Sequence, residues 1–221
     1  MKVLFIHGWL HTNNMFDKYK DKYDCTFFEY NGLTNNKQGD LYSNLLRLKV
    51  LLSKEQFDVI VCHSLGSTLV YECLSDIHDA TVILYSPFNN NLRKRAFLAF
   101  KLVGLLPLVR KLIKSKRLVK LGYSILLNEY DDNILDVAIS GYYECNAKAA
   151  VRIIKQAFPL VPKRGISLQN KAYLVYGNND TLTSINYDQM IKTFPNFKLI
   201  KLDCGHITPM HMDVDDILND V

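Results

Sequence analysis

The sequence lacks the cysteine patterns of metal-binding and disulfide-rich proteins. Its cysteines are Cys25, Cys62, Cys73, Cys145 and Cys204. They form no Cys-x-x-Cys pair and no metal-finger spacing, and an odd number in a chain of 221 residues argues against a disulfide framework. We therefore expect a protein of a reducing compartment, and nothing in the sequence implies a metal ion or an organic cofactor.

Long hydrophobic runs are also missing. The most apolar segment, residues 96–109, is interrupted by Lys101 and Pro107 and is shorter than the roughly 20 residues needed to cross a bilayer. The first apolar stretch, residues 3–6, is too short for the hydrophobic region of a signal peptide. These absences predict a cytoplasmic protein that does not span a membrane.

The excess of positive charge is small. The formal net charge is +5, which does not predict a nucleic-acid-binding protein, and 48% of the residues are hydrophobic, which favours a folded globular chain over a disordered one. A chain of 221 residues is long enough for one domain with a large core. We expect a single domain over residues 1–221.

Short apolar runs alternate with helical patterns along most of the chain. Runs rich in Val, Ile, Phe and Tyr predict strands buried on both faces, as in a mostly parallel sheet. They cover residues 3–6, 26–30, 59–62, 81–85, 172–176 and 198–202. Helices are predicted at 41–54, 65–75 and 185–193. The alternation predicts an α/β fold, and the segment 88–162, which has helical spacing and little strand signal, is predicted to be a helical cap inserted in it.

A serine stands at the junction of a predicted strand and helix. Ser64 follows Val59-Ile60-Val61-Cys62-His63 and precedes Leu65-Gly66. A nucleophile elbow needs this arrangement, because the tight turn projects Oγ above the sheet and the helix start offers N–H groups to an oxyanion. Cys62 replaces the glycine usual two positions before the serine, but it is small. The alternative is that Ser64 only caps the helix.

Two later strand ends supply an acid and a base. Asp180 ends the turn Gly177-Asn178-Asn179-Asp180, and His206 ends Asp203-Cys204-Gly205-His206. Ser64, Asp180 and His206 follow the chain order of nucleophile, acid and base that is expected when the serine lies on a nucleophile elbow. We predict them as the catalytic triad and rank Asp203 below Asp180 as the acid. Asp180 could instead simply form a turn, and His206 could be structural.

The first predicted strand ends in His7-Gly8-Trp9-Leu10-His11. With the later motifs, the sequence here resembles the α/β-hydrolase superfamily, particularly its small capped carboxylesterases. The resemblance spans nearly the whole chain, except that the cap matches nothing specific. It implies an α/β-hydrolase fold and an oxyanion hole formed by the backbone N–H groups of Trp9 and Leu65. The simpler alternative is that His7-Gly8 is a turn and Trp9 a core aromatic.

Several neighbouring residues receive weaker assignments. We expect His63 to pack at the turn, while His11 either lines the substrate pocket or is exposed. Cys62 and Cys204 are predicted to be buried thiols and not nucleophiles, because the sequence places no second base beside them.

The predicted cap is basic. Residues 89–128 contain no acidic residue and ten basic ones: Arg93, Lys94, Arg95, Lys101, Arg110, Lys111, Lys114, Lys116, Arg117 and Lys120. Apolar residues between them predict two amphipathic helices broken near 104–107, whose apolar face receives an acyl chain. Arg110, Lys111, Lys114 and Arg117 are predicted to bind the substrate or an anionic partner, either an acidic acyl-carrier protein or an anionic lipid surface. Some capped carboxylesterases dock a carrier protein in this way; the alternative is a merely solvated basic face.

Together these features predict a serine hydrolase that cleaves a carboxylic ester or thioester through an acyl-serine intermediate. A lyase-type enzyme with the same serine and histidine is one alternative. A non-catalytic binding protein on a hydrolase scaffold is the other.

Overall fold

Six parallel strands form the central sheet of the described chain. The computed structural model describes residues 1–35, 37–88, 93, 99–160 and 169–219. The strand order is β2-β1-β3-β4-β5-β6. Their bounds are β1 Lys2–Ile6, β2 Asp24–Phe27, β3 Val59–His63, β4 Thr81–Tyr85, β5 Ala172–Gly177 and β6 Phe197–Leu202. Every neighbouring pair is parallel, which confirms the predicted fold class.

Helices connect the strands. They are α1 Leu41–Lys54, α2 Leu65–Glu72, α3 Leu106–Leu112, α4 Lys116–Leu127, α5 Asp132–Ala138, α6 Ser140–Glu144, α7 Ala147–Ala157, α8 Tyr187–Thr193 and α9 Val214–Asn219. Short 3-10 turns occupy Asn13–Tyr19, Leu74–Asp76, Val103–Leu105 and Thr208–Met210. No helix in the described part of the chain has the length and apolar composition needed to span a membrane.

Both faces of the sheet are buried because each strand alternates its side chains between two cores. One core joins Leu4, Ile60 and Leu174 to α1, α2 and α7. The other core joins Phe5 and Val61 to the turn Asn13–Tyr19 and to α9. The continuously apolar runs of the sequence are explained by this double burial.

The second strand begins earlier than the sequence predicts. The expected strand was 26–30, whereas β2 pairs with β1 from Asp24 opposite Lys2 to Phe27 opposite Phe5. A strand extends only as far as its neighbour offers backbone partners. The pairing starts where β1 starts, and the N–H of Phe28 still donates to the carbonyl of Phe5 before the chain leaves the sheet. Phe28 and Tyr30 both pack into the core.

Helices α3 to α7 lie between β4 and β5, inside the segment 88–162 that the sequence predicts as a cap. Residues 89–92, 94–98 and 161–162 of that segment lie outside the described residues. The turn Val103–Leu105 leads directly into α3, and a second break at 113–115 separates α3 from α4. The last helix, α7, packs against α1, and the backbone N–H of Leu41 donates to the side chain of Gln156.

Candidate active site

Ser64 is the single residue between β3 and α2, in a strained backbone conformation. Its φ is 49° and its ψ is −113°, a left-handed geometry that residues with a side chain rarely adopt. Backbone hydrogen bonds hold it, because its N–H donates to Tyr85 at 3.0 Å and its carbonyl accepts from Phe88 at 3.1 Å. Within the described chain the hydroxyl caps no N–H of α2, so the helix-cap alternative lacks its defining contact.

The turn needs small residues on either side of Ser64. A Cβ placed on Gly66 would lie 2.5 Å from the carbonyl oxygen of Ile6, so no side chain fits there. Cys62, at the other position, is fully buried and its Sγ lies 3.6 Å from the carbonyl oxygen of Ile83. Cysteine is therefore accommodated where the sequence pattern usually has glycine.

A chain of two hydrogen bonds links the three predicted triad residues. Ser64 Oγ lies 2.9 Å from His206 Nε2, and His206 Nδ1 lies 2.8 Å from Asp180 Oδ2. All three side chains are buried, with Ser64 the most exposed at 8%. The structure thus brings together three residues that are 26 to 142 positions apart in sequence.

Asp180 is held as an ionised acceptor. Burial alone would raise its pKa, but the charge and hydrogen bond of His206 and the N–H groups of Thr183 and Leu182 outweigh burial and lower the pKa below its usual value. Leu182 N donates at 2.7 Å, and the Thr183 hydroxyl donates at 2.8 Å. The carboxylate is therefore fixed in position and aimed at the imidazole.

Asp203, the weaker candidate for the acid, lies elsewhere. Its side chain is exposed and accepts a hydrogen bond from Asn179 Nδ2 at 2.8 Å. The structure therefore joins Asp180, and not Asp203, to His206.

The loop after β1 lies beside the nucleophile. A Cβ on Gly8 would be 3.0 Å from Ser64 Cβ, so this loop can approach the serine only because residue 8 is glycine. Trp9 Nε1 donates to the carbonyl of Ala150 on α7 at 2.9 Å, which anchors the loop. Leu65 is the first residue of α2, where the backbone N–H has no acceptor within the helix. Leu65 therefore follows Ser64 directly, and Trp9 lines the same cavity as Ser64.

Solved structures share this architecture. An esterase from Thermogutta terrifontis superposes with a TM-score of 0.74 at 13% identity, covering 100% of this chain and 88% of its own. A carboxylesterase structure from Nitrososphaera gargenis gives 0.74 at 15%, with 99% and 88% covered, and an enol-lactonase from Burkholderia xenovorans gives 0.69 at 9%, with 99% and 88% covered. The chain has the α/β-hydrolase fold. No protein-family model and no curated protein matches its sequence.

A largely apolar cavity of about 130 Å³ opens beside Ser64 in this hydrolase-fold chain. Trp9, His11 and His206 line it from the strand ends, and the opposite wall comes from the segment between β4 and β5. That wall includes Phe100, Val103, Tyr123, Leu126 and Ile154. The cavity can hold a small apolar group in contact with the nucleophile.

Only part of the predicted apolar face of the cap lines this cavity. Phe100 and Val103 do so, as expected for a face that receives an acyl chain. Leu102, Leu105 and Leu108, by contrast, are exposed. The helical spacing predicted helices in this segment, but neither the break at 113–115 nor which apolar side chains face inward.

The C-terminal end of α4 is bonded to both loops that carry the acid and the base. The N–H of His206 donates to the carbonyl of Leu127 at 3.0 Å, and the Thr181 hydroxyl donates to the carbonyl of Leu126 at 2.6 Å. A Cβ on Gly205 would lie 2.2 Å from the Leu127 oxygen. The wall of the cavity and the position of His206 are therefore fixed by the same contacts.

Three further buried histidines surround the site. His63 Nε2 donates to the carbonyl of His206 at 3.1 Å, so His63 supports the base from behind, in agreement with its predicted packing role. Burial lowers the pKa of His7 to about 4 and that of His11 to about 3. Both rings are therefore neutral at physiological pH.

His11 is buried and lines the cavity, which answers the question that the sequence leaves open. Neither of its ring nitrogens has a hydrogen-bond partner within the described chain. Unpaired buried polar atoms are uncommon in folded proteins. The ring lines the cavity, although both nitrogens are themselves buried among protein atoms.

The thiols near the site are not activated. Burial raises the pKa of Cys204 to about 12 and raises that of Cys62 strongly. Both are therefore protonated at neutral pH and are poor nucleophiles. In the described residues, no group of three His, Cys, Asp or Glu side chains is placed to bind a metal ion.

Thr183 is the supporting residue that sequence reasoning missed. Its N–H and hydroxyl both bind the Asp180 carboxylate, and its carbonyl accepts from Arg93 Nε at 3.3 Å. The signal was present, because Asp followed by N–H donors two and three residues later is a common local side-chain-to-backbone motif.

Proposed function

We propose that this chain is a serine hydrolase that cleaves a carboxylic ester or thioester through an acyl-Ser64 intermediate. The observation that carries the proposal is the hydrogen-bonded chain from Ser64 Oγ through His206 to Asp180, at 2.9 and 2.8 Å, beside an apolar cavity. The first distance is within the range for proton transfer from a nucleophile to its base, and the second is that of a hydrogen bond that orients the base.

In the first half of the reaction, Ser64 Oγ attacks the substrate carbonyl carbon and its proton passes to His206 Nε2. Asp180 stabilises the resulting imidazolium through Nδ1–H. The backbone N–H groups of Trp9 and Leu65 are proposed to bind the oxyanion of the tetrahedral intermediate. When the intermediate collapses, His206 returns the proton to the leaving alcohol or thiol, and the acyl group stays on Ser64.

In the second half, His206 takes a proton from a water molecule, whose oxygen attacks the acyl carbon. The ester bond to Ser64 breaks, the serine regains its proton from His206, and the carboxylic acid leaves. The cycle consumes one water molecule for each ester cleaved and needs no other co-reactant.

The cavity favours a short acyl group. A cavity of about 150 Å³ holds a benzene-sized molecule, and the present one is about 130 Å³. We therefore expect p-nitrophenyl esters with about six acyl carbons or fewer to be cleaved faster than the palmitate ester.

A panel of p-nitrophenyl esters from acetate to palmitate, with acyl-CoA thioesters and methyl esters beside it, tests the proposal. Wild-type protein should turn over the short esters, and Ser64→Ala protein should not. Activity of Ser64→Ala within about tenfold of wild type would contradict the acyl-serine mechanism, because loss of the nucleophile costs far more than that. Binding without turnover of any ester would favour a non-catalytic protein on the same fold.

A further inference from the structure

Two neighbouring helices expose apolar side chains that a globular protein normally buries. Large apolar side chains of α3, α4 and the residues just before α3 are between 50% and 71% exposed. They are Leu102, Leu105, Leu108, Leu112, Leu118, Leu121 and Ile125. We group them with the exposed cations Lys111, Lys114 and Arg117 and call this set of residues the leucine-rich face.

These side chains are concentrated in one segment. Half of the exposed large hydrophobic residues of the described chain lie between 102 and 125. Single exposed apolar residues are ordinary, whereas a concentration of them marks a surface that contacts something other than water. The spacing is helical, since Leu105, Leu108 and Leu112 follow one side of the chain through α3, and Leu118, Leu121 and Ile125 do so in α4.

The basic residues of the segment separate into two groups. Some are used inside the protein: Arg110 donates to the carbonyl groups of Cys145 and Tyr143, while Lys116 and Lys120 pair with Asp136 on α5. Two guanidinium nitrogens of Arg110 therefore bind backbone carbonyl groups inside the protein.

Lys111, Lys114 and Arg117 form the second group. All three are exposed, and the described chain places no carboxylate within ion-pair distance of them. They flank the turn between α3 and α4, where every residue from 111 to 118 is exposed. Cations and apolar side chains such as Leu112 and Leu118 therefore share one corner of the molecule.

We propose that the leucine-rich face docks on an anionic lipid surface. Apolar side chains of an amphipathic segment enter the boundary between headgroups and acyl chains, while neighbouring Lys and Arg side chains meet the lipid phosphates. This accounts for both features of the face, its exposed leucines and its unpaired cations. The proposal does not depend on the hydrolytic activity proposed above.

Two other occupants fit less well. The leucine-rich face contains no carboxylate, so a second copy paired through a two-fold axis would add three more cations to the interface and no opposite charge, which disfavours association. An acidic protein would pair with the cations, but it would also need a matching apolar surface for seven side chains. A bilayer supplies both without a shaped partner.

The same elements also form the wall of the cavity. Val103 lies in the turn before α3 and lines the cavity, while Leu102 and Leu105 on either side of it are exposed. In α4, Tyr123 and Leu126 line the cavity, and Leu121 and Ile125 face solvent. Docking through this face would therefore place the cavity next to the lipid surface.

Vesicle sedimentation with the 221-residue chain tests the proposal. The probes are vesicles of phosphatidylcholine alone and vesicles of phosphatidylcholine mixed with phosphatidylglycerol. Wild-type protein should bind the anionic vesicles at least tenfold more tightly, and raising the salt from about 0.1 to 1 M should reduce that preference. Equal binding to both vesicle types, or binding to neither, would overturn the proposal.

Two variants test the two halves of the face. Lys111→Gln, Lys114→Gln and Arg117→Gln together should remove the preference for anionic vesicles. Leu112→Ser, Leu118→Ser and Leu121→Ser together should lower binding to anionic vesicles at least tenfold. Circular dichroism checks that each variant is folded. If one variant is unfolded, the comparison of the two vesicle types with wild-type protein still tests the proposal.

Matched controls carry the same substitutions at exposed positions elsewhere. They are Lys54→Gln with Lys192→Gln and Lys201→Gln, and Leu46→Ser with Val50→Ser and Ile191→Ser. These should bind anionic vesicles within twofold of wild type, and a loss equal to that of the test variants would overturn the proposal. A dimer in solution that the Leu→Ser variant dissociates, without vesicle binding by wild type, would instead assign the face to self-association.

Discussion

The loops that hold Ser64, Asp180 and His206 differ from α3 and α4 in almost every physical respect. In the loops, backbones approach so closely that a Cβ on Gly177 would lie 2.1 Å from the carbonyl oxygen of Gly205. On α4, a Cβ on Gly122 would meet nothing within 4 Å. Close packing allows the loops around Ser64 only one arrangement of atoms. The side chains on the outer surface of α3 and α4 have few neighbours and are little constrained. Chemistry that depends on geometry belongs in the first, and contact with a deformable partner suits the second.

Removing the base should have the largest effect on the loops around Ser64. We expect His206→Ala to lower kcat by about 10⁴- to 10⁶-fold, and the Ser64→Ala/His206→Ala double variant to be no slower than either single variant, since the two act in one proton-transfer unit. Steady-state hydrolysis of a short p-nitrophenyl ester measures this. Additive losses would mean that the two residues act independently.

Removing the negative charge behind the base should cost less. Asp180→Asn should lower kcat by about 10³- to 10⁴-fold, because the imidazole loses its orienting acceptor while the other groups remain. Asp203→Asn is the matched control, since Asp203 is exposed and bonded to Asn179, and we expect a change of less than about threefold. A larger effect at Asp203 would mean that the acid is assigned to the wrong residue.

Two glycine substitutions compare the regions by stability. Gly66→Ala should lower the free energy of unfolding by about 1–3 kcal/mol, because the added methyl group meets the Ile6 backbone. Gly122→Ala should raise it by about 0.5–1 kcal/mol, because alanine favours a helix and the site is open. Urea denaturation of both variants checks the two signs. Equal changes in the free energy of unfolding for the two variants would contradict the packing difference between the loops and α4.

His11 tests whether the cavity contains a polar contact for substrate. Its neutral ring has no partner in the described chain, so we expect it to donate one hydrogen bond to a bound ester. Loss of a neutral hydrogen bond of about 1 kcal/mol corresponds to about fivefold in kcat/KM. His11→Leu should show that loss and His11→Gln, which keeps a donor, should recover most of it; identical values for both variants would contradict the contact.

The sequence predicted which strand ends carry Ser64, Asp180 and His206, for a physical reason. Ser64, Asp180 and His206 each follow a buried strand, and the carboxyl ends of parallel strands meet at one edge of the sheet, so chain order and strand position together locate them. The strand pattern was equally clear, because double burial leaves continuous apolar runs. β2 was misplaced because it starts at Asp24, opposite the first residue of β1, and the apolar pattern of its own residues does not show this.

The arrangement of α3 and α4 was predictable only in part. Helical spacing identified amphipathic helices, but Leu108 and Leu126 look alike in sequence, and tertiary packing alone decides that one is exposed and the other lines the cavity. The run of basic residues gave no sign that Arg110 is bound to backbone carbonyl groups or that Lys116 and Lys120 pair with α5. Those partners come from residues 132–145, beyond the basic segment itself.

Labelling with a fluorophosphonate probe tests the central claim most directly, since the probe reacts with a serine only when a neighbouring base activates it. After incubation at neutral pH, mass spectrometry of the digested protein should find one phosphonyl adduct on Ser64. The Ser64→Ala protein should carry no adduct, and the His206→Ala protein should be labelled far more slowly. An unlabelled wild-type protein, or an adduct on a residue other than Ser64, would contradict the assignment of Ser64 as the nucleophile.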